Sequence, residues 1–496
     1  MARVDSLTIQ RGYGGIHGGG GLLWTSSEGV ITNNIIRWNS AEPSLGAGIG
    51  CEMSWCVIMH NTVTANPEEA TGAGGGILCH GYPWAYVAEN EITNNKAGAG
   101  AGIAVEYSRP LIRDNTITDN TALYHGGGIY MEDSGGLVIR NEIRDNGLPV
   151  PQVIPDGTPT GGGIACVDCD EPAPLIVDNE ITGNAARDDG GGMSLTGGSP
   201  EIVNNLFSEN TAGEGGGAVY CASSALITCN RFESNTAGDY GGAIGVYAST
   251  AQITRNTFTS NDGGDRGGAV WIGNSPPGLD LTVCSLINNL FVQNQVIGTG
   301  GGAIYAEGIW PYSTYANIVN NTFAENQAIN SDQYNGNGGA VRAFSNDYRV
   351  TADLTLVNNI FYKNKARDWD QAWSVGNSLY MGEYCTGSLL FSGAFSDVSG
   401  SESYHYVNIT PDAGCITGLI GPNDPPMFVN GYHLKTSTPF YTPTPMDHGL
   451  DPGENQYFSG VPAIYLDGLP RPINISTVTP NGDGGCCDMG AYEAQE

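Results

Sequence analysis

Positive charge is scarce in this chain. Its 496 residues include 19 Lys and Arg against 51 Asp and Glu, a formal net charge of −32. That balance excludes nucleic acid as a partner, because neutralising phosphates needs a cationic surface. Long apolar runs are missing too. No stretch approaches the roughly 18 uninterrupted apolar residues of a membrane-crossing helix, and the opening MARVDSLTIQRGYGG has no apolar signal core. The expectation is a mature, trimmed or truncated chain that meets cations or stays dispersed. The twelve cysteines also lack a metal-site pattern. Cys166 and Cys169 (CVDC) have no second pair at zinc-finger spacing, so no metal role is expected there. Cys486 with Cys487, and Cys385 with Cys415, are disulfide candidates in an oxidising compartment, with the pairing itself left open.

What is abundant is glycine, 74 residues of it, and a repeat. The pattern Asn-x-apolar-x-x-Asn opens at Asn34, Asn61, Asn90, Asn115, Asn141, Asn179, Asn205, Asn230, Asn256, Asn289, Asn321 and Asn359, and each closing Asn falls five places later. Three places before each opening Asn stands an aliphatic residue, from Ile31 to Leu356, and a glycine cluster precedes each unit. Short β-branched runs punctuated by Gly and Asn are strands and turns. A shortest period of 25 residues matches one coil of a parallel β-helix, in which equivalent residues stack at about 4.8 Å. The expected fold is therefore all-β, a single-stranded right-handed parallel β-helix solenoid of about twelve or more coils over residues 1–380, followed by a C-terminal capping and anchor region over 381–496. The Asn columns are expected to accept left-handed turns and to stack their amides from coil to coil.

Two apolar columns change along the chain. Two places after the opening Asn, Ile36, Val63, Ile92, Ile117, Ile143 and Ile181 give way to Phe207, Phe232, Phe258, Phe291, Phe323 and Phe361. After the glycine cluster, Ile49, Ile77, Ile103, Ile129, Ile164 and Met193 give way to Ala218, Ala243, Ala269, Ala303 and Ala340. Interiors keep nearly constant density, so the reading is volume compensation between two inward columns in contact.

The GGAI and GGAV segments at 241–244, 267–270 and 301–304, with the six Phe-x-x-Asn segments, resemble the GGA(I/L/V) and FxxN repeats of polymorphic membrane protein passengers, which are secreted adhesins. More broadly, residues 1 to about 380 resemble bacterial right-handed β-helix proteins of the pectin lyase-like superfamily. SLLFSGAFSDVSG (388–400), DPPMFVNGYHL (424–434) and the closing CDMGAYEAQE resemble the choice-of-anchor Q region of secreted bacterial β-helix proteins. These resemblances imply export, an extracellular or bacterial cell-surface location, and surface attachment.

Chemistry on such a fold depends on which columns face a groove. Asp189, Glu214, Asp239 and Asp265 each stand three places before the last Gly of a cluster, with Asp188, Tyr240, Asp262 and Arg266 beside them. Carboxylates in register at about 5 Å repel, which calls for a cation, a base or a raised pKa. The column therefore reads either as a calcium- or saccharide-binding strip, with Ca²⁺ as the cofactor, or as an acidic solvated turn face. As an enzyme, a polysaccharide lyase or glycoside hydrolase, the chain would use Asp239, Asp265 and Arg266 as its catalytic candidates. SRPLIR, with Arg109 and Arg113, departs by one place from the R-x-P-x-x-R of pectate lyases, and His17 and His125 share the repeat position of the acidic column. Tyr220, Trp271 and Tyr305 read as a sugar-stacking platform or as packing. The favoured function is a secreted or surface scaffold for adhesion or carbohydrate binding. Its expected partner is a polysaccharide or cell-surface glycan.

Overall fold

The computed structural model describes residues 2–367 apart from 15–18, 42–45, 68–71, 82–84, 148–159, 170–172, 275–280, 330–337, 346–349, 351, 358 and 363; beyond 367 it describes only short strand segments ending at 433–434. Cys385, Cys415, Cys486 and Cys487, His17 and most of the anchor-like tail lie outside the described residues. The chain divides into two compact units, Met1–Leu226 with Glu233–Gly238, and Ile227–Phe232 with Asp239–Glu496.

Each coil of the first unit contributes one strand to each of three sheets. In the coil around Asn115 these are Leu111–Arg113, Thr116–Thr118 and, after the glycines, Ile129–Glu132. Every strand pairs in parallel with its equivalent one coil away, as in Leu111↔Leu137, Ile117↔Ile143 and Ile129↔Ile164. The second unit repeats the plan, with Thr250–Thr254, Thr257–Thr259 and Val270–Gly273 pairing onward to Leu281–Ile287, Leu290–Val292 and Ile304–Gly308. The described residues contain no helix. The molecule is a parallel β-helix.

Two asparagine ladders hold the coils in register. Asn115 shows the unit of the ladder. Its backbone N–H and its Nδ2 both donate to Asn141 Oδ1 at 3.0 Å, and Nδ2 also donates to Val87 O in the preceding coil and to Arg113 O in its own. The same amide-to-amide bond runs from Asn34 through Asn61, Asn90, Asn115, Asn141 and Asn179 to Asn205. In the second unit it runs from Asn230 through Asn256, Asn289 and Asn321 to Asn359. The ladder asparagines are not the left-handed residues. That conformation belongs to the residue just before them, for example Glu89, Asp114, Arg140 and Asp178 ahead of the first ladder. Asn is required because a buried amide can donate to the coils on either side and accept from the preceding one, as Asn115 Oδ1 does from Asn90, leaving no polar group unpaired. Arg140 and Asp114, at the left-handed position, form a two-pronged surface pair at 2.8 and 3.1 Å. That is charge pairing from coil to coil along one column.

The apolar columns need one correction. Strand pairing sets Ile164 opposite Met193 and Met193 opposite Val219, and in the second unit Ile244 opposite Val270 and Ile304 opposite Val341. The isoleucine column therefore continues as Val and Ile, not as Ala. Ala218 is opposite Gly192, because Met193 N–H bonds Ala218 O just as Ile164 N–H bonds Gly192 O. The change is Gly to Ala beside Ile to Phe, so both columns grow. The β-branch explains why they change together. A Cβ placed on Gly102 would come 2.5 Å from Gly128 O in the next coil and 2.8 Å from Ile117 Cγ2, and one on Gly128 would come 2.7 Å from Gly163 O and 3.1 Å from Ile143 Cγ2. Phenylalanine has no second γ-carbon, so coils that carry Phe have room for the alanine methyl. Gly102→Ala should accordingly destabilise the first unit by about 1–3 kcal/mol through overpacking. A urea midpoint unchanged from wild type would remove this account.

A single disulfide closes within the described residues. Cys51, pointing inward from Ile49–Glu52, bonds Cys56 at the start of the next strand.

Candidate functional site

The acidic turn column does not keep a single register. The pairing of Met193 with Val219 brings Asp188, not Asp189, level with Glu214, and Glu214 N–H bonds Asp188 O at 2.7 Å. Asp189 lies one place further on. It pairs with Thr160, which pairs with His125, and its carboxylate accepts from Gly215 N–H at 2.9 Å. His125 thus shares a column with Asp189, as its repeat position implies. Its Nδ1 is 3.2 Å from Thr160 Oγ1, and burial lowers its pKa. Glu214 is exposed, and Asp188 sits near Arg187 at 3.6 Å.

In the second unit Asp239 and Asp265 are level, because Tyr240 pairs with Arg266. Arg266 lies between them. Its Nη2 donates to both Asp239 oxygens at 2.9 and 2.7 Å and its Nη1 to Glu307 Oε2 at 3.0 Å, while Nε is 3.3 Å from Asp265 Oδ2. Asp265 also accepts from Thr299 N–H and Oγ1, and Asp262 from Gly264 N–H and Gln295 Nε2. Trp271 donates its indole N–H to Glu307 at 3.1 Å and packs on Tyr240 at 4.5 Å. Trp271 and Tyr305 are buried, so they serve as packing and not as an open stacking platform. An arginine held by three carboxylates suits a structural cation better than a proton acceptor. Among the described residues no group of three or more His, Cys, Asp and Glu side chains is arranged to hold a metal ion.

A different column of the first unit brings reactive groups together. The third-sheet strands end IGCE, ILCH, IAVE and IYME. Their pairing stacks Glu52, His80, Glu106 and Glu132 on the outward face. One place back on that face, Leu78 and Ala104 are buried with Ala73, which forms a wall beside the column. Tyr107, at the left-handed corner after Glu106, is 47% exposed and meets the His80 ring edge-on at 5.9 Å. Tyr130 is buried, stacks on His125 at 6.0 Å and hydrogen-bonds Glu132. Burial, and then the Glu132 carboxylate one coil on, push Glu106 up to about 7. Glu132 and Asp133 raise the Tyr107 hydroxyl. The result is a half-buried carboxyl that keeps its proton near neutrality, a second carboxyl about 4.8 Å along the coil axis, and an exposed aromatic face beside both.

The model of the right-handed β-helix region matches residues 2–171, 73–232 and 158–323. The chain belongs to the right-handed β-helix family. Among the curated proteins and among the solved structures nothing matches it. In this right-handed β-helix the Glu52–Glu132 column was legible only through strand register. Its four residues lie inside strands, switch between Glu and His along the column and form no motif within any one repeat.

The shifted carboxyl gives a pH signature. The unfolded chain titrates Glu106 near 4.5 and the folded chain near 7, so between these values the folded state holds the extra proton. Stability should fall as pH rises through that window and level off above it. Glu106→Gln removes the titration. Its thermal midpoint relative to wild type should rise on going from about pH 5 to about pH 8. A constant difference would show that Glu106 does not titrate in that range.

Proposed function

We propose that this right-handed β-helix is an extracellular or cell-surface scaffold that binds a glycan along the Glu52–His80–Glu106–Glu132 groove. The observation that carries this reading is the exposed Tyr107 ring beside stacked polar side chains, since an aromatic face with adjacent hydrogen-bonding groups suits the apolar and hydroxyl faces of a sugar. The net charge of −32 and three glutamates in the groove favour an uncharged glycan over a uronate. Calcium belongs to the proposal at the acidic turn of Asp188 and Glu214, where Glu214 is exposed. A calcium titration that leaves the thermal midpoint unchanged removes it.

A second reading is supported by the Glu106–Glu132 pair. Carboxyls about 5 Å apart, one with its pKa raised to about 7, suit glycoside hydrolysis with retention, Glu106 acting as acid and Glu132 as nucleophile. One experiment addresses both readings. Neutral and acidic oligosaccharides are titrated calorimetrically into wild type, Tyr107→Ala, Glu106→Gln and Glu132→Gln, and each mixture is assayed for new reducing ends. Binding of neutral glycans that weakens about tenfold in Tyr107→Ala supports the scaffold. Reducing ends that disappear in both Gln variants support hydrolysis. Acidic glycans bound as tightly as neutral ones, or binding indifferent to Tyr107, would overturn the groove assignment.

A further inference from the structure

The corners after the third-sheet strands Ile49–Glu52 and Ile129–Glu132 are capped by a serine hydroxyl. Ser54 Oγ donates to Glu52 O at 2.7 Å and accepts from Ser27 N–H. Ser134 Oγ donates to Glu132 O at 2.6 Å, approaches Val105 O at 3.3 Å and accepts from Ser108 N–H. In the next coil that position is Cys169. Its sulfur repeats the pattern on Val167 O at 3.4 Å and Met131 O at 3.6 Å. A thiol is a weaker donor than a hydroxyl, so as a cap alone Cys169 is inferior to the serine of the preceding coil.

What distinguishes this corner is the residue facing it. Cys166 points inward from the strand Ile164–Val167, opposite Met131, in a column that runs through Trp24, Cys51, Cys79, Val105 and Met131 before it. Side chains in that column reach the corner. Cys51 crosses it to bond Cys56, and Cys221 touches Ser223 Oγ at 3.6 Å. The Cys166 and Cys169 thiols are both buried, and their mutual influence raises the Cys166 pKa and lowers that of Cys169.

We propose that Cys166 and Cys169 form a second corner disulfide, made while the coil is closing. The oxidant is a small-molecule disulfide of the kind found in oxidising compartments. The Cys169 thiolate attacks one of its sulfurs and releases one small thiolate. Cys166, losing its proton, then attacks the mixed disulfide at Cys169 and releases the second. Two protein thiols become one disulfide, and the small disulfide becomes two thiols. The cross-link fixes the coil that pairs directly with the Glu132 strand.

The test uses the full chain refolded with oxidised glutathione, unfolded in an alkylating reagent and mapped by peptide mass. The expected result is a peptide containing both Cys166 and Cys169, unalkylated and lighter by two hydrogens, and alkylated at both only after reduction. Cys169→Ser should fold, keep Cys51–Cys56 and leave Cys166 alkylated. The thermal midpoints should also cross: with oxidant wild type exceeds Cys169→Ser, and with reductant the serine variant exceeds wild type, because it restores the hydroxyl cap. Alkylation of both thiols in oxidised wild type, linkage of either to another cysteine, or protection released by a chelator instead of a reductant would overturn the proposal.

Discussion

Replacing Phe258 by alanine should cost about 3–5 kcal/mol. The ring is fully buried and lies between Phe232 and Phe291, with centroids 4.8 and 4.7 Å away and planes within 6°. Those separations are the coil spacing itself, and the bonds from Asn261 Nδ2 to Phe232 O and to Asn294 Oδ1 fix that spacing on both sides of the ring. The neighbours therefore cannot slide together, and the void stays open. The choice of replacement tests the packing argument further. Ala243 holds the place in this coil that Gly102 holds opposite Ile117, so a second γ-carbon at 258 has no room. Phe258→Leu should be milder than Phe258→Ile by about 1 kcal/mol, although the two side chains have the same volume. Urea midpoints report the order, and hydrogen exchange of the Thr257–Thr259 strand reports whether the loss is local. Isoleucine tolerated as well as leucine would discard the branch argument. An alanine variant near wild type would discard the inward stack.

The ladder and the sheets were legible because they rest on residues at fixed offsets: Asn, the aliphatic three places before it, and the glycines. Counting from the last glycine failed where Ala218 replaces the final glycine of its cluster. That one-residue slip moved Ala218 into the isoleucine column and Asp189 into line with Glu214. Only the hydrogen-bond register of Met193 with Val219 reveals it. The partners of Arg266 were half visible. Asp239 and Asp265 lie in adjacent coils at a constant offset, whereas Glu307 is 41 residues away on a strand whose spacing follows an insertion. The column around Glu106 was hidden for a different reason. Each repeat supplies one of its residues, and no rule of spacing marks a glutamate at the end of a strand as different from any other surface residue.

Arg266→Met should lose about 3–5 kcal/mol, the cost of stranding one member of a buried pair. Glu307 decides the size of the effect. Its side chain is 8% exposed and Arg266 is 23% exposed, so this pair is little screened, whereas Asp239 and Asp265, at 43% and 42%, turn readily to water. After the substitution Glu307 keeps the Trp271 indole N–H at 3.1 Å but loses its counter-charge. A neutral partner should therefore recover most of the loss. Arg266→Met with Glu307→Gln retains the indole bond and removes the stranded charge, and it should return within about 1–2 kcal/mol of wild type. Asp239→Asn alone should cost under about 1 kcal/mol, as for an exposed pair. Comparing urea midpoints of the four proteins separates the two roles the sequence left open for Arg266. A structural cation gives a large single loss rescued by Glu307→Gln. A residue kept for chemistry gives a small loss that the second substitution does not change.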